Sequence, residues 1–573
     1  MLKRALWLLL VLIGPAWGQI TPGVTPYTAG VGLSLTSYSF SANYGTTSGT
    51  AAQGNDSRIV GALQASTAAA TYSPLASPAL TGTPTAPTAS HGTSTTQLAT
   101  TAFVASATIP VASVANSYVT TSGSDGNSCL SWADACATVS HALSVISGYS
   151  GGRVNVGAGT YTISSTIQML PGVELLCTPG AVITQGASAN LLPMIDFSAN
   201  AAHGAAIRQC TIDGNRYNQT SYNVDMINVL TANNVSIERN TLRSIPGLGV
   251  NVTTGTNTKI NNNIFTDMFY TGVQVNTGTV QYPSYASVND NIFSVIGAHA
   301  ILLDAADYTT ISRNTITGTL VSGLTVTVVK SGSNATVTVT GGGTPFSATC
   351  SATVVCPGMF IVANGGGAGF QEIEITSVSS STVAQSVGCA GACSAAVGAA
   401  AIGGSGDLID ESSSGHWIIS DNIISSAAGG LIVPNSGYDG INEALQDGLV
   451  ANNVLYNAAG PCITVESTGS YGINGYVQNL SFIGNFLQDC MRSSSAIYGS
   501  VGAFEVALNP TAYVAGVFVD SHRTVDDGTP VTPYWMSLYG LGSGTVAVGA
   551  HFENGMLHAG VSGTGAFAAT VGP

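Results

Sequence analysis

One short phrase recurs through the middle of the chain and limits the folds open to it. It reads CTIDGNRY from Cys210, VSIERNTL from Val235, TKINNNIF from Thr258, ASVNDNIF from Ala286 and TTISRNTI from Thr309. In each copy an apolar residue is followed by Asn three places on, and by an apolar or aromatic residue two places after that, as in Ile237/Asn240/Leu242. The residues Asn215, Asn240, Asn263, Asn291 and Asn314 are spaced 25, 23, 28 and 23 apart. A repeat of this length is one supersecondary unit stacked on copies of itself.

The unit reads as short strands, because its apolar positions alternate and no segment holds a helical period beyond a turn. Strands repeated without intervening helices stack in parallel as a β-solenoid, each coil about 4.8 Å above the last. Equivalent side chains then pile into ladders. Asn suits the turn of such a coil, since it tolerates left-handed dihedrals and its amide can bond to those above and below. The repeated Asn residues are therefore expected to be scaffold.

Composition agrees. Of 573 residues only 7% are charged, 45% are hydrophobic and Gly numbers 70, too apolar for a disordered chain and too rich in small residues for a helical one. Lys3 and Arg4 precede the apolar run from Ala5 to Ile13, and Ala16-Trp17-Gly18 offers a small-x-small cleavage site, so 1–18 is expected to be an export signal. No later run approaches the ~20 apolar residues of a membrane span. Without Lys3 and Arg4 the balance is 28 acidic to 11 basic residues, which argues against nucleic acid as a partner. Ten Cys residues in an exported chain predict disulfides. Cys129/Cys136, Cys350/Cys356 and Cys389/Cys393 can close local loops, and Cys177/Cys210 and Cys462/Cys490, 33 and 28 apart, can staple adjacent coils.

Residues 19–110 form a Thr/Ala/Ser/Gly/Pro-rich segment that reads as an extended arm. Its GNDSRIVGALQAS from Gly54 and SPLASPALTGTPTAPTASHGTSTTQLATTAFV from Ser73 resemble linker modules of bacteriophage tail fibres and tail spikes. That resemblance implies a trimerising arm, and hence a homotrimer. From Ser117 the passage YVTTSGSDGNSCLSWADACATVSHALSVISG carries one amphipathic pattern, Ala135/Val139/Leu143/Ile146, that predicts a helix begun near Asp134. Together with GGRVNVGAGTYTISSTIQMLPGVELLC from Gly151 it resembles the entry to pectin-lyase-like right-handed parallel β-helices, whose first coil is capped by a short helix. The fold class expected is all-β: a right-handed single-stranded parallel β-helix with an N-terminal capping helix and an inserted small β module.

The insertion follows from the phrase. It returns only at Ile419/Asn422/Ile424, Val450/Asn453/Leu455 and Phe482/Asn485/Leu487, and Asn314 to Asn422 spans 108 residues, about 83 more than one coil. The chain thus divides into a first solenoid part over 111–319, an inserted β module over 320–406, a second part over 407–495, and further coils or a β cap over 496–573.

In the pectin-lyase-like family, substrate lies along one strand face. Here that face is the strand upstream of each phrase: DMINV from Asp225, LGVNV from Leu248, TGVQV from Thr271 and HAILL from His299. Counting back eight residues from Ile237, Ile260 and Ile311 makes Val229, Val252 and Leu303 inward, so Asn228, Asn251, Gln274 and Leu302 face out. Such a polar, uncharged stripe suits sugar hydroxyls. At its margins lie Arg216, Arg243, Asp267, His299, Asp304 and Asp307, with Tyr217, Tyr222, Phe269, Tyr270, Tyr282 and Tyr285 as aromatic neighbours. Substrate binding is expected at Asn228, Asn251, Gln274, Tyr217 and Tyr270. A hydrolase needs two carboxyls about 5 to 9.5 Å apart, for which Asp267 and Asp304 are the candidates. A lyase of this family uses an Arg or Lys base and often Ca²⁺ held by carboxylates; Arg243 beside Asp267, His299 and Asp304 would then be the catalytic group. The paired Asp-Asp, Gly-His-Gly and Arg-Ile-Lys signatures of polygalacturonases are absent from these coils. The expectation is a secreted or cell-surface protein that engages polysaccharide or cell-surface glycan, either as a depolymerase or as a non-catalytic adhesin or spike-like protein.

Overall fold

The computed structural model describes residues 115–490, apart from short stretches at 199–200, 222–223, 277–281, 365–369, 388–395, 413, 437–444 and 468–475, together with isolated segments on either side. The chain divides into two units, Met1–Ile109 and Pro110–Pro573. In the first, Leu33–Thr36 and Ser39–Ala42 form an antiparallel hairpin. The expected export signal and most of the expected arm lie outside the described residues.

The second unit is a parallel β-helix. Each coil passes through three sheets in turn, which we number 1 to 3. Among the described residues they hold 14, 11 and 12 strands, all paired in parallel with the equivalent strand of the next coil. A representative coil runs Ser236–Glu238 in sheet 1, Thr241–Ile245 in sheet 2 and Val250–Thr253 in sheet 3; the next runs Lys259–Asn261, Ile264–Met268 and Thr271–Asn276. Alternation along each short strand sends one residue inward per coil. Ile237, Ile260, Val288, Ile311, Ile419, Val450 and Phe482 thereby form a fully buried column behind sheet 1. Behind sheet 2, Phe265 and Phe293 stack with ring centres 4.7 Å apart and planes 7° from parallel. Each such side chain contributes about 1.5–3 kcal/mol by leaving water, and the columns behind the three sheets pack into one continuous core.

The Asn residues stand at the turn from sheet 1 to sheet 2. Asn240, Asn263, Asn291, Asn314, Asn422, Asn453 and Asn485 are buried. Each Nδ2 from Asn240 to Asn453 donates to Oδ1 of the next, at 2.9–3.1 Å. Two details correct the sequence reading. The left-handed residue is the one before each Asn, namely Arg239, Asn262, Asp290, Arg313, Asp421 and Asn452, so the Asn itself is chosen for its amide and not for its dihedrals. And Asn215 is not in the column. Strand register puts Cys210 there, and the Cys210 N–H donates to Asn240 Oδ1 at 3.0 Å. Asn215 instead occupies the next turn, at φ 49°, where its Nδ2 reaches Gln185 O.

The helix Val139–Ile146 buries Val139, Ala142, Leu143 and Ile146 against the first coils. It begins five residues later than Asp134, because Thr138 caps it through the His141 N–H, and Asp125 holds Thr138 in place. Trp132 and Asp134 belong to a separate 3₁₀ turn.

After Thr315–Thr317 in sheet 2 the chain leaves the solenoid along Leu320–Ser331 and returns along Ala396–Gly404, entering sheet 3 at Ile409–Ser412. These two long strands join five others in a seven-stranded sheet with its own core, including Val326, Val337, Ile361 and Ile373. The solenoid closes over the gap, since Ile311 pairs with Ile419 and Ile316 with Ile424 as if consecutive. Past 490, the described strands from Gly502–Leu508 to Ala569–Val571 continue the sheets in parallel. Disulfides join Cys129–Cys136, Cys177–Cys210, Cys350–Cys356 and Cys462–Cys490; Cys389 and Cys393 lie outside the described residues. No helix among the described residues is long and apolar enough to cross a membrane.

Candidate functional site

The outer face of sheet 3 carries a polar row built by register. Asn228, Asn251, Gln274, Leu302 and Asp410 are direct partners on successive coils, all half-buried, while Val229, Val252 and Leu303 face the core. One step along each strand's outer face, a second row passes Thr253, Asn276, Asp304, Ser412, Asn435 and Glu466. Amides hold the carboxylates of both rows. Asn251 Nδ2 donates to Asp225 Oδ2 at 3.1 Å, Asn276 Nδ2 to Asp304 Oδ2 at 2.8 Å, and Asn435 Nδ2 to Asp410 Oδ1 at 2.8 Å. Burial raises Asp225 above the ordinary carboxyl range despite that bond.

Asp304 and Asp410 occupy diagonal positions, one strand across and two residues along. That puts their Cα atoms about 8 Å apart. Beside Asp410 on the same strand and register-paired with Leu303, Glu411 faces inward and is fully buried. Its carboxyl is pushed well above the usual range, first by burial and further by the charges of Asp410 and Asp304.

The other residues named from sequence are dispersed. Arg243 lies on the outer face of sheet 2, where its Nε donates to Asp213 Oδ2 at 2.8 Å on the register-paired strand. Asp267 stands at the end of a sheet 2 strand in a left-handed conformation. Its Oδ1 accepts from Arg216 Nη1 at 3.1 Å and from the Tyr217 hydroxyl at 2.6 Å, and its Oδ2 accepts from Ser244 Oγ at 3.0 Å. Arg216, 2% exposed, also donates to Pro357 O at 2.8 Å, and the Cys350 N–H donates to the Tyr217 hydroxyl at 3.1 Å. This cluster docks the inserted module onto the solenoid turn. Burial, then the Asp267 bond, pushes the Tyr217 phenol up to about 12. Close approach recurs beside it: Gly358, at φ +96°, has no room for a Cβ, which would lie 1.9 Å from Phe269 O.

His299 opens the strand that Asp304 closes, five residues and roughly 16 Å away. Its Nδ1–H donates to Asp407 O at 2.7 Å, and burial lowers its imidazole below the ordinary 6.5. Tyr270, 40% exposed, meets the His299 ring edge-on at 6.4 Å. Thus Arg243, Asp267, His299 and Asp304 do not converge on one groove. A turn separates Asp267 from the sheet 3 face, and Arg243 is on a neighbouring sheet altogether.

Along the opposite edge of sheet 3, at the turn toward sheet 1, an exposed ring column runs beside the second row. Tyr285 stacks on Tyr308 at 4.9 Å, and Tyr308 on His416 at 4.5 Å. Asp307 Oδ1 accepts from the Gly415 N–H at 2.7 Å nearby, and burial raises its carboxyl. Tyr308, His416, Asp410 and Asp407 were missed from sequence. The rings had a signal: each lies two residues before its sheet 1 strand, so alignment on the phrase brings Tyr285, Tyr308 and His416 into one column. Tyr222 and the side chain of Tyr282 lie outside the described residues. Among the described residues, the one group of three His, Cys or acidic side chains close enough to share an ion is Cys129, Cys136 and His141, whose cysteines are joined in a disulfide.

A family model described as a right-handed β-helix region matches residues 225–341. The solenoid is accordingly a right-handed parallel β-helix. A search of curated protein sequences finds no match. Among solved structures, the A-module of a mannuronan C-5 epimerase from Azotobacter vinelandii is similar at 12% identity and TM-score 0.39, over 76% of this chain and 93% of that one. The tailspike protein of E. coli bacteriophage HK620, in complex with a pentasaccharide, is similar at 13% identity and TM-score 0.39, over 75% and 70%. An exopolygalacturonase from Thermotoga maritima follows at 11% identity and TM-score 0.34, over 72% and 82%.

Proposed function

We propose that this protein engages an extended polysaccharide along the outer face of sheet 3, outside the cell. The observation that carries this reading is the row Asn228–Asn251–Gln274, three outward amides in register on successive coils. An amide carries two donor hydrogens and an acceptor oxygen, the complement of sugar hydroxyls; at Asn251 the nitrogen already donates to Asp225 Oδ2 and the oxygen accepts from Thr253 Oγ1, which orients the group. The coil spacing of about 4.8 Å repeats that offer at regular steps along a linear chain. Exposed Tyr270 borders the row on one side and the Tyr285–Tyr308–His416 column borders the face on the other, giving apolar ring surface beside polar edges. Disulfides support an oxidising, extracellular setting.

The test is incubation of the full chain with a panel of neutral and acidic polysaccharides, scoring retention, new reducing ends and the ultraviolet absorbance of unsaturated products. Retention of at least one glycan is expected, weakened roughly tenfold in the Asn251→Ala/Gln274→Ala double variant, as for one or two lost hydrogen bonds. Retention of none, or an unweakened double variant, sinks the reading. Reducing ends that vanish in Asp410→Asn would assign hydrolysis at the carboxylate pair. Retention without any product would assign an adhesive role.

A further inference from the structure

The Cys350–Cys356 disulfide stands where the inserted module meets the solenoid, and both of its ends take part in that contact. The Cys350 N–H donates to the Tyr217 hydroxyl at 3.1 Å, and the carbonyl of Pro357, next to Cys356, accepts from Arg216 Nη2 at 2.8 Å. Arg216 and Tyr217 are neighbours on one solenoid turn, with the guanidinium 5.0 Å from the Tyr217 ring centre and 5.5 Å from that of Phe269. Gly358 then packs on the Phe269 carbonyl with no room for a side chain. The disulfide holds its two ends 5.2 Å apart between Cα atoms, and so fixes the spacing of the two attachment points. Toward the later coils the module is held by different means: Val362 and Ile402 cluster with Ala428 and Ala459, all buried.

Access sets this disulfide apart. Both cysteines of Cys129–Cys136 and of Cys177–Cys210 are at most 1% exposed. Cys462 is buried, and its partner Cys490 packs on the main core. Cys350 is half-buried in a loop whose Thr349, Ser351, Ala352 and Thr353 are exposed, so a thiolate can reach its sulfur. Exchange there also disturbs the contact. When one thiolate of a dithiol reductant bonds to Cys350 Sγ, the S–S bond breaks and Cys356 leaves as a thiolate. Val355 through Met359 are buried, and an unpaired charge among them is costly, so Cys356 takes up a proton or the loop moves outward. The second thiolate of the reductant then attacks its own first sulfur and releases Cys350. The reductant leaves as a disulfide, and its two thiol protons end on Cys350 and Cys356.

We propose that Cys350–Cys356 is a thiol–disulfide exchange site whose state sets how tightly the inserted module is clasped to the earlier coils. Oxidised, it presents the Cys350 N–H and the Pro357 carbonyl to Tyr217 and Arg216 at a fixed spacing. Reduced by a dithiol, it leaves both groups on an open loop, while the apolar cluster at Ala428 and Ala459 keeps the module attached. The clasp is independent of any glycan.

The experiment titrates the oxidised full chain with dithiothreitol in the absence of denaturant. At each step free thiols are alkylated and located by peptide mass, and a parallel sample is exposed briefly to protease. Cys350 and Cys356 are expected to be alkylated before Cys129, Cys136, Cys177, Cys210, Cys462 and Cys490. Over the same range, cleavage within 320–404 should become roughly tenfold faster, as for one or two lost hydrogen bonds, and oxidised glutathione should restore the resistance. Cys350→Ser/Cys356→Ser should be cut at the rate of the reduced parent, with dithiothreitol making no further difference. Tyr217→Phe, which removes the acceptor of the Cys350 N–H and keeps the disulfide, should speed alkylation of the oxidised chain by dithiothreitol and alkylant; it keeps a variant in the test should the double Ser change fail to fold. Reduction of Cys462–Cys490 first, or cleavage within 320–404 that ignores the state of Cys350 and Cys356, would overturn the proposal.

Discussion

Asn314 and Asn422, 108 residues apart in sequence, are hydrogen-bonded neighbours: Asn314 Nδ2 donates to Asn422 Oδ1 at 3.0 Å, and its backbone N–H does so at 2.9 Å. A whole antiparallel module has been placed between them without moving the column by a rung.

Asn422→Ala should be among the most damaging single changes on the solenoid. It strands two Asn314 donors and the Ile311 carbonyl in a buried turn, for a loss of about 3 kcal/mol or more. Asn257→Gly, on an exposed turn at φ 57° that glycine adopts without strain, loses the side chain's bond to Asn234 and should cost less than about 1 kcal/mol. Urea unfolding of the two variants against the parent checks the contrast.

Asp267→Ala removes the acceptor that holds buried Arg216, and breaking such a pair costs about 3–5 kcal/mol because the guanidinium is left uncompensated. Since Arg216 and Tyr217 also grip Pro357 and Cys350, the inserted module should loosen first. Limited proteolysis is expected to cut the variant within 320–404 at protease levels the parent survives.

The Cys177–Cys210 disulfide closes 33 residues and Cys350–Cys356 only 6. On loop-closure grounds, replacing the first pair with Ala should lower stability by about 3–4 kcal/mol and the second by about 2 kcal/mol. Thermal unfolding of both variants would show equal losses if loop length did not govern the effect.

Glu174 gives a sign for acid behaviour. Burial alone would raise its carboxyl, but hydrogen bonds from Arg208 and Arg153 at 2.7 and 2.6 Å outweigh that and hold it below its ordinary 4.5. A carboxyl lowered in the fold contributes stability above its unfolded value and loses it as pH falls through the folded one. Glu174→Gln should therefore be less stable than the parent at neutral pH, with the gap closing below about pH 4.5. A gap that stays constant down to acid unfolding would contradict this.

The solenoid was legible because its period is written in side chains that must repeat: Ile237, Ile260 and Ile311 mark the inward column, and counting back from them found Asn228, Asn251 and Gln274 on the outer face of sheet 3. Asn215 misled because a Gly-Asn turn copies the phrase while sitting one turn late, and the true first rung is Cys210, which no search for Asn would find. Side-chain convergence was not legible. Arg243 and Asp304 are near in coil number, yet which sheet each strand belongs to decides that one meets Asp213 and the other Asn276. Asp410 was hidden by the insertion, which breaks the count just where the second carboxylate of the row belongs.

The asparagine column also gives the molecule a direction. From Asn240 through Asn263, Asn291, Asn314, Asn422 and Asn453 to Asn485, each amide presents its N–H to the next and its oxygen to the one before. Amide dipoles so aligned add along the axis, and chained hydrogen bonds polarise one another. A protein with few charges thus carries an axial field of its own, its oxygen pole set at the Cys210 rung beside the Cys177–Cys210 bridge. Between the Cys210 and Asn485 rungs, coils that look interchangeable in shape are electrically ordered along the axis.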